Sequence, residues 1–420
     1  MFAGSAASLA LVLVKLPRRR LTVAAALGLV LAGCAKDAPQ DTFQPAGPNA
    51  ESIDQLQRPL FYVAGIVGVI VLAAVGYAMW KFRDHGQDIP EQTHGNPKLE
   101  IALTVLPAII LAVVAVPTVT KVFELADQDN ECIINVTGQQ WWWEYDYVAG
   151  STCGGIEIPQ SIVTSGELVI PAGTPVLLRI TSRDVIHSYW IPKLNGKRDA
   201  VPGRLHTLRM EADEPGLYMG QCTEFCGLSH ARMRQAAVAL SSADFATWVA
   251  NQTKPYTSPE ADTTAAVGEQ TFIAQCSRCH QVDGLVKEDG TPVLAEPDLY
   301  VWAGAAPNLT HLMTRTAFAG WTFDLVTEEC RDRLWAEPPA TFGEQYLKGV
   351  WMYTESEEDR PVCFDEATLR EWLRNAPAMK PMYADPAKLD ETGGLTRGMP
   401  NLGLNEKQID ELIAYLLERK

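Results

Sequence analysis

The chain has 420 residues, 47% of them hydrophobic, and its formal net charge at pH 7 is −16. This length can hold two or three domains, each with its own core. The acidic excess argues against binding to nucleic acid, which needs a basic surface, and favours basic protein partners.

The first segment, residues 1–33, has the features of a bacterial signal peptide. Arg18–Arg20 precede an apolar stretch, residues 21–31, that is too short to span a bilayer. The stretch ends in Leu-Ala-Gly before Cys34, which resembles a lipoprotein box and predicts a lipid anchor on that cysteine; ordinary cleavage nearby is the alternative. Residues 34–59, rich in Pro, Gln, Asp and Asn, are predicted to form a flexible tether.

Two longer apolar segments, Leu60–Trp80 and Ile101–Val122, can each cross the hydrocarbon core of a bilayer. Residues 60–122 are therefore predicted to form a transmembrane helical hairpin. The loop between the helices carries basic residues, including Lys81 and Arg83, so we expect it on the cytoplasmic side. The sequence thus predicts a protein of the bacterial cell membrane with its large domains outside.

Residues 123–252 are predicted to form a β-sandwich or barrel, because short strand-like runs alternate with turns rich in Pro and Gly. Residues 141–147 are an aromatic run whose odd-numbered Trp and Tyr side chains would share the core face of a strand. The other predicted strands are residues 132–137, 168–170, 176–181, 205–211 and 236–240.

The strongest chemical signal in this domain is the string Cys222-x3-Cys226-x3-His230-x2-Met233, with His187 upstream. Two thiolates, two imidazoles and a thioether are soft donors that select copper, and their number suits two coppers bridged by both sulfurs. Such a centre transfers electrons and breaks no substrate bond. A zinc site, or a disulfide with a spare histidine, is the alternative, but zinc would not require the methionine.

A second centre is predicted beyond a linker at residues 253–264, which is rich in Pro, Thr and Ser. The motif Cys276-Ser-Arg-Cys279-His280 is typical of covalent haem c attachment, in which both thiols bond the haem and the histidine binds the iron. Residues 265–420 are therefore predicted to form an all-α cytochrome c domain. The sixth iron ligand should be a methionine, and the candidates are Met313, Met352, Met379, Met382 and Met399.

Among these methionines, Met399 is favoured because it lies in a Gly-Met-Pro triplet shortly before an amphipathic helix predicted at Glu406–Leu417, as in class I cytochromes c. Met382 is the runner-up. His311 is expected to be a structural hydrogen-bonding residue and not an iron ligand.

The interval between His280 and Met399 is long for a small cytochrome, and the excess lies in residues 283–300 and 321–361. The second insertion includes a mostly acidic run at residues 355–359. It is predicted either to dock a donor or another subunit, or to be a solvated insertion without a partner.

Four cysteines remain outside the two motifs and the N-terminal segment. In an exported protein this number suggests two disulfides. Proximity along the chain favours Cys132 with Cys153 and Cys330 with Cys363, but the sequence leaves the connectivity open. Buried free thiols are the alternative for the first pair.

The copper string resembles that of subunit II of haem-copper cytochrome c oxidases, and the C-terminal haem motif resembles the fused cytochrome c of caa-type oxidases. The resemblance implies a cupredoxin-like domain that holds the dinuclear centre CuA. Cys222 and Cys226 would bridge the two coppers, and His187 and His230 would each bind one.

The same resemblance implies that Met233 is a weak copper ligand and that the backbone carbonyl of Glu224 completes the set. It also implies that the carboxylate of Glu224 reaches a magnesium or manganese ion shared with subunit I.

Three residues outside the ligand set also match the family. Glu100 would lie at the mouth of a proton pathway, Trp141 would receive the electron from the donor, and Arg204 would help electrons leave towards subunit I. The alternatives are an interfacial carboxylate stabilised by the helix dipole for Glu100 and a solvated turn residue for Arg204. Gln139 and Trp142 depart from the family, which commonly has His and Tyr there.

The resemblance as a whole implies the electron-input subunit of a respiratory oxidase. Electrons would pass from cytochrome c or a cytochrome bc complex through haem c and CuA to haem a in subunit I, which reduces oxygen with proton translocation. No residue of this chain would be a catalytic acid, base or nucleophile. The alternatives are the CuA subunit of a nitric oxide reductase and a membrane-anchored copper-handling or assembly protein.

Overall fold

The computed structural model describes residues 38–83, 86, 94–126, 131–286, 293, 306–355, 361–383 and 397–420. The predicted signal peptide, Cys34, most of the first insertion and nearly all of the acidic run at 355–359 lie outside the described residues. The described chain forms a pair of apolar helices, a β domain and a mainly helical C-terminal domain.

The two apolar helices are α1 (Pro48–Lys81) and α2 (Pro97–Leu125), and each contains one predicted transmembrane segment. Both are long and apolar enough to cross a membrane, and their most apolar stretches are not buried in the protein. Helix α2 begins where the side chain of Asn96 accepts a hydrogen bond from the amide of Leu99, with proline at the first helical position.

The predicted tether differs from the structure. Helix α1 begins at Pro48, inside the segment predicted to be flexible, and its first turn packs on the β domain. Asn49 donates its side-chain amide to the carbonyl of Arg209 at 3.0 Å, and Ala50 is buried. The prediction of a flexible tether is therefore wrong for residues 48–59, because unpaired amides of the first helical turn find buried acceptors on the β domain.

The β domain is built from short strands, and each predicted strand is present within a few residues of its expected position. The strands are β1 (Ile133–Gln139), β2 (Trp142–Tyr147), β3 (Thr152–Cys153), β4 (Ile156–Glu157), β5 (Ile162–Ser165), β6 (Glu167–Pro171), β7 (Val176–Ser182), β8 (His187–Tyr189), β9 (Arg198–Ala200), β10 (His206–Met210), β11 (Gly216–Gln221) and β12 (Arg234–Leu240). They form two main sheets, with strand orders β10-β7-β1-β2-β5 and β11-β12-β6. Strands β1 and β2 pair antiparallel, whereas β1 with β7 and β12 with β6 are parallel.

The aromatic run forms the core of this domain, as its alternation predicts. Trp143, Tyr145 and Tyr147 are fully buried on one face of β2. The Tyr147 hydroxyl donates to the carbonyl of Val169 and accepts from its amide, both at 2.7 Å, which ties the two sheets together. Burial of side chains of this kind contributes about 1.5–3 kcal/mol each.

The C-terminal domain follows helix α3 (Ser242–Gln252) and is helical apart from one short hairpin among its described residues. Its elements are α4 (Thr264–Gln275), β13 (Ala317–Phe318), β14 (Phe323–Asp324), α5 (Glu328–Trp335), α6 (Pro339–Leu347), α7 (Glu366–Met379) and α8 (Glu406–Leu417).

Helices α4 and α8 cross closely at a glycine. A Cβ atom on Gly268 would lie 1.9 Å from the carbonyl oxygen of Glu411, so only glycine permits this approach. Phe272 and Tyr415 pack beside the crossing with ring centroids 5.3 Å apart. Helix α8 has the predicted bounds and starts with a capping box formed by Asn405 and Gln408.

Both disulfides favoured by proximity form, Cys132–Cys153 and Cys330–Cys363. The second bridge closes the 321–361 insertion. Its described residues pack on the β domain through side chains such as Trp321 and Tyr346. This packing contradicts a solvated insertion for the described residues, because side chains such as Tyr346 meet buried partners on the β domain. Docking of a donor or another subunit by the insertion stays a prediction.

Candidate copper and haem sites

The copper-type cluster is built on the turn between β11 and β12. Cys222 directly follows β11 and Met233 directly precedes β12, and the amide of Cys222 donates to the carbonyl of Met233 at 2.9 Å. A short 3-10 turn, His230–Arg232, lies between the ends. His187 begins β8 and brings the remaining imidazole from another part of the sheet edge.

The structure brings the predicted ligand side chains together. The sulfurs of Cys222 and Cys226 are 3.8 Å apart, and Cys226 Sγ lies 3.6 Å from His230 Nδ1 and 3.8 Å from Met233 Sδ. Ligand atoms of His187, Cys222 and Cys226 lie within 4.8 Å of one another, and all three residues are buried. The backbone carbonyl of Glu224 approaches Cys222 Sγ at 3.3 Å, while the Glu224 side chain is exposed.

The orientation of His187 fits a metal ligand. Its Nε2 lies 2.9 Å from the carboxylate of Asp184, whereas its Nδ1 is buried and has no hydrogen-bond partner among the described residues. A carboxylate that fixes one ring nitrogen and leaves the other for the metal is the usual arrangement around metal-binding histidines. Burial lowers the pKa of His187, but Asp184 and Cys222 beside it outweigh burial, so that the pKa is raised.

The pKa values of the two thiols are shifted in opposite directions. Hydrogen bonding with Cys226 is the main cause that lowers the pKa of Cys222 to about 4, with His187 contributing. The pKa of Cys226 is raised, because Cys222 lies beside it and because the thiol is buried. One thiolate is thus available to a soft metal ion at neutral pH, and binding of the metal would release the second proton.

Trp141 lies between this cluster and the C-terminal domain. Its ring is 2% exposed, and its Nε1 donates to the carbonyl of Cys226 at 3.0 Å. The ring also packs against Tyr383 of the C-terminal domain, with centroids 5.4 Å apart.

A cavity of about 310 Å³ lies on the other side of Trp141, between the two domains. It contains the whole predicted haem motif, Cys276, Cys279 and His280, together with Met399. Apolar side chains from α4, α7 and α8 line much of the remaining wall. These side chains are Phe272, Leu369, Leu373, Leu412 and Leu416.

The residues around this cavity fit a covalent haem c. His280 Nδ1 lies 2.8 Å from the carbonyl of Pro307, which leaves Nε2 as the nitrogen for iron. Burial lowers the pKa of His280, which favours the neutral, ligating form. Met399 and Met382 both line the cavity, whereas Met313 does not line it and is fully buried elsewhere.

Gly398 allows the two methionine segments to pass each other. Its φ is +105°, and a Cβ atom there would lie 2.4 Å from the sulfur of Met382.

Comparisons with known proteins bear on both domains. The model of the family "Cytochrome C oxidase subunit II, periplasmic domain" matches residues 132–240, and the transmembrane-domain model of the same subunit matches residues 38–120. Cytochrome c oxidase subunit 2 of Alkalihalophilus pseudofirmus is 37% identical over 269 residues, which are 61% of this chain and 75% of that protein. The chain belongs to the cytochrome c oxidase subunit II family. It is thus one component of a haem-copper oxidase complex, and the family together with the His187–Cys222–Cys226 cluster supports copper binding by the β domain.

Another relative extends through the C-terminal domain. Cytochrome c oxidase subunit 2 of Bacillus sp. (strain PS3) is 29% identical over 412 residues, 94% of this chain and 95% of that protein. The crystal structure of the periplasmic domain of cytochrome oxidase subunit II from Bradyrhizobium japonicum is 30% identical, covers 30% of this chain and 94% of that chain, and has a TM-score of 0.26.

The copper loop also has a side that is exposed and apolar. Phe225 and Leu228, inside the ligand string, are 76% and 54% exposed, and Leu205, the neighbour of Arg204 in sequence, is 62% exposed. Arg204 is itself exposed at the turn closed by its amide and the carbonyl of Val201. Exposed apolar side chains concentrated around a redox-type cluster are typical of a surface that another protein covers.

Glu100 lies apart from both sites. It is an exposed residue in the first turn of α2, where the helix dipole favours a carboxylate. His311 also lies outside the cavity; its ring nitrogens face the carbonyl oxygens of Lys420 and Gln252 at 2.6 and 3.1 Å. It therefore has the structural role expected for it.

Several residues of the site escaped sequence reasoning. Lys380 is almost fully buried and donates to the carbonyls of Trp141 and Ala319, at 3.0 and 2.7 Å. A lone lysine after a helix gives no signal in sequence. Asp184 could have been found, because a carboxylate three residues before a ligand histidine is a possible partner of its ring.

Proposed function

We propose that this chain is the electron-input subunit of a caa-type cytochrome c oxidase. Electrons would enter at covalent haem c, pass to dinuclear CuA and leave for haem a in subunit I, where oxygen is reduced to water with proton translocation. The observation that carries this proposal is the position of Trp141, a residue that lines the haem-type cavity and whose Nε1 donates a hydrogen bond to the carbonyl of the ligand residue Cys226.

The copper cluster would be held by side chains that need little rearrangement. Cys222 and Cys226 would bridge the metals, His187 and His230 would each bind one, and Met233 would be the weak ligand. All five side chains are buried or half-buried, and Asp184 holds the ring of His187. A rigid ligand set favours electron transfer because its geometry changes little between oxidation states.

The haem would be bonded to Cys276 and Cys279 and ligated by His280, whose ring is oriented by the carbonyl of Pro307. Met399 is our choice for the opposite iron ligand, with Met382 as the alternative in the same cavity. The haem and the copper centre, when bound, supply reversible one-electron chemistry. The surrounding leucine and phenylalanine side chains exclude water and lower the local dielectric constant.

Electron exit would use the exposed side of the copper loop. The apolar side chains of Phe225, Leu228 and Leu205 fit the buried contact with subunit I. Arg204, which is exposed and adjoins Leu205 in sequence, would assist the exit, and the exposed carboxylate of Glu224 would reach a magnesium or manganese ion shared with subunit I. Glu100, at the start of α2, would serve a proton pathway in subunit I.

The membrane topology follows from the same proposal. Helices α1 and α2 would anchor the chain in a bacterial cell membrane with both large domains on the extracytoplasmic side, and a lipid on Cys34 would add a second anchor. The electron donor would be a cytochrome c or a cytochrome bc complex, attracted by the acidic charge of the chain.

The test is the metal and haem content of the full-length chain, expressed with haem maturation and loaded with copper, followed by electron paramagnetic resonance. Two coppers sharing one unpaired electron and one covalent haem per chain would support the proposal. Copper without haem would remove the caa-type reading, and a single isolated copper would favour a copper-handling role instead.

A further inference from the structure

The contact between the two domains is organised around one buried carboxylate. Glu167, the first residue of β6, is 1% exposed, and the donors to its carboxylate come from the C-terminal domain. Its Oε1 accepts from the amide of Thr316 at 2.9 Å, from the Thr316 hydroxyl and from Trp321 Nε1 at 3.3 Å. Its Oε2 accepts from the hydroxyl of Tyr346 at 2.8 Å. All of these donors lie in residues 315–346. This segment includes the first part of the second insertion, residues 321–346.

The same segment adds a buried cation and an apolar contact. Arg315 is 4% exposed and donates to the hydroxyl of Ser165, on β5, at 2.9 Å. Trp321 packs with Ala317 against Ala236 of β12 in a small apolar cluster of its own. A contact that combines apolar packing with several buried hydrogen bonds resembles a domain interior and not the polar interface expected of domains that move freely.

The copper loop itself is hydrogen-bonded to the C-terminal domain. The amide of Arg234 donates to the carbonyl of Gly320 at 3.0 Å, and the hydroxyl of Ser229 donates to the carbonyl of Pro381. The side chain of Arg232 donates to the carbonyl of Met379. The turn that carries His230 is thus attached to the C-terminal domain on both of its flanks.

We propose that residues 315–346 are an intramolecular docking element, and that Glu167 is the positioning residue that holds the C-terminal domain in one fixed orientation over the copper loop. The cavity beside Trp141 and the copper-type cluster then keep one separation throughout turnover, and the C-terminal domain does not swing between a donor and the β domain. The consequence for electron transfer rests on the function proposed above, whereas the fixed orientation does not.

A fixed domain gives a definite kinetic behaviour. When a tethered domain must find its docking site through charges, the rate of the intramolecular step depends on ionic strength. When the domain is already docked through buried hydrogen bonds, the step is first order and insensitive to salt. The second behaviour is expected for this chain.

The experiment compares Glu167→Leu with Glu167→Gln in the full-length chain. Leucine leaves four donor groups without an acceptor, so the population of undocked chains should rise about tenfold or more. Glutamine can still accept through its amide oxygen and donate to Tyr346, so it should rescue docking. Glu328→Gln, an exposed acid on α5 in the same segment, is the matched control.

Two readouts separate docking from a general structural role. The first is the distance distribution between spin labels carried by noncanonical residues at Glu157 and Lys407, which are exposed on the two domains. The second is the rate of intramolecular electron transfer after flash reduction, measured at low and high salt. We expect one narrow distance and a salt-independent rate in the wild type and in Glu167→Gln, and a broad distribution with a salt-dependent, about tenfold slower step in Glu167→Leu.

Copper content checks the folding of the β domain in each variant. If Glu167→Leu does not bind copper, the double variant Thr316→Val and Tyr346→Phe removes the two hydroxyl donors from the other side of the contact. A broad distance distribution in the wild type, or unchanged distances in whichever of these two variants binds copper, would overturn the inference. Absence of haem from a wild-type chain with a narrow distance would contradict the proposed function alone.

Discussion

The copper loop has two sides that differ in what covers them. The side that carries Trp141 is closed by the chain's own C-terminal domain, through Lys380 and the residues around Gly320. The side that carries Phe225 and Leu228 is exposed and apolar. Both sides belong to the same loop, residues 222–233. One side is covered by the same chain, whereas the other side has no partner among the described residues.

In the proposed function, this difference would give the electron path a direction. On the covered side, buried hydrogen bonds would fix the distance to the haem-type cavity, so no encounter would be needed for entry. On the exposed side, apolar side chains suit a contact formed on assembly with another subunit. The chain therefore separates an internal, permanent interface from one completed by its partner.

Replacement of Cys222 by Ser tests whether the two centres are independent. It should abolish the dinuclear copper signal, because a hydroxyl is a poor bridging ligand for copper, while the haem spectrum remains intact. Copper analysis and optical spectra of the purified chain measure both effects. Cys276→Ser is the reciprocal control, which should disturb haem attachment and spare copper; loss of both centres in either variant would contradict two separate domains.

Replacement of Phe225 by Asp tests the exposed side. A charge at the centre of an apolar contact should weaken assembly with subunit I by about 2 kcal/mol or more, roughly thirtyfold in affinity. Co-purification and titration with the other oxidase subunits measure this effect. Val362→Asp, at an exposed valine of the C-terminal domain, should assemble normally; equal affinities for the two variants would exclude the copper-loop surface as the contact.

Replacement of Trp141 by Phe tests the covered side. It keeps an aromatic ring but removes the hydrogen bond to the Cys226 carbonyl, and we expect electron transfer from haem to copper to slow about tenfold, equivalent to about 1.4 kcal/mol. Flash reduction of the isolated full-length chain measures the rate without subunit I. Trp335→Phe on α5 serves as control, and an unchanged rate in Trp141→Phe would place the path elsewhere.

His311, in the C-terminal domain and outside the cavity, gives the smallest expected effect. Burial lowers its pKa, so the folded protein keeps this imidazole neutral at a pH where the unfolded chain is protonated. Its contribution is fully present above the unfolded pKa of about 6.5 and is lost as the pH falls through the folded pKa, by at most about 1.4 kcal/mol per pH unit.

In His311→Gln the free energy of unfolding should therefore depend less on pH between about 7.5 and 5.5. Calorimetry of both proteins measures the slope. His206→Gln, on β10 of the β domain, is the control, and identical slopes for wild type and His311→Gln would show that His311 does not contribute.

Prediction from sequence was most successful where spacing along the chain decides structure. The odd-numbered aromatic residues of β2, the bounds of α8 and both favoured disulfides follow from local alternation, amphipathic periodicity and proximity. The copper string is of the same kind, because a short turn between two strands brings Cys222, Cys226, His230 and Met233 together. The choice between Met399 and Met382 stayed a prediction, because both reach the same cavity.

The predicted flexible tether failed for a physical reason. The residues before Pro59 have a polar composition that suggested flexibility, yet from Pro48 onwards they form a helix whose first turn packs on the β domain. The described part of the 321–361 insertion likewise packs on the β domain, against the solvated alternative. Composition reports the average of a segment, whereas packing depends on a few side chains, such as Asn49 and Tyr346, that meet buried partners far away in sequence.

The sequence by itself determined which chemical groups this protein carries, a copper-type ligand string and a haem attachment motif behind two membrane helices, because these signals depend on residue type and local spacing. Only the tertiary structure decided how the two centres are related. The ring of Trp141, the carboxylate of Glu167 and the ammonium of Lys380 meet partners about 80 to 240 residues away. Such contacts depend on the packing of the whole chain, and no local pattern encodes them.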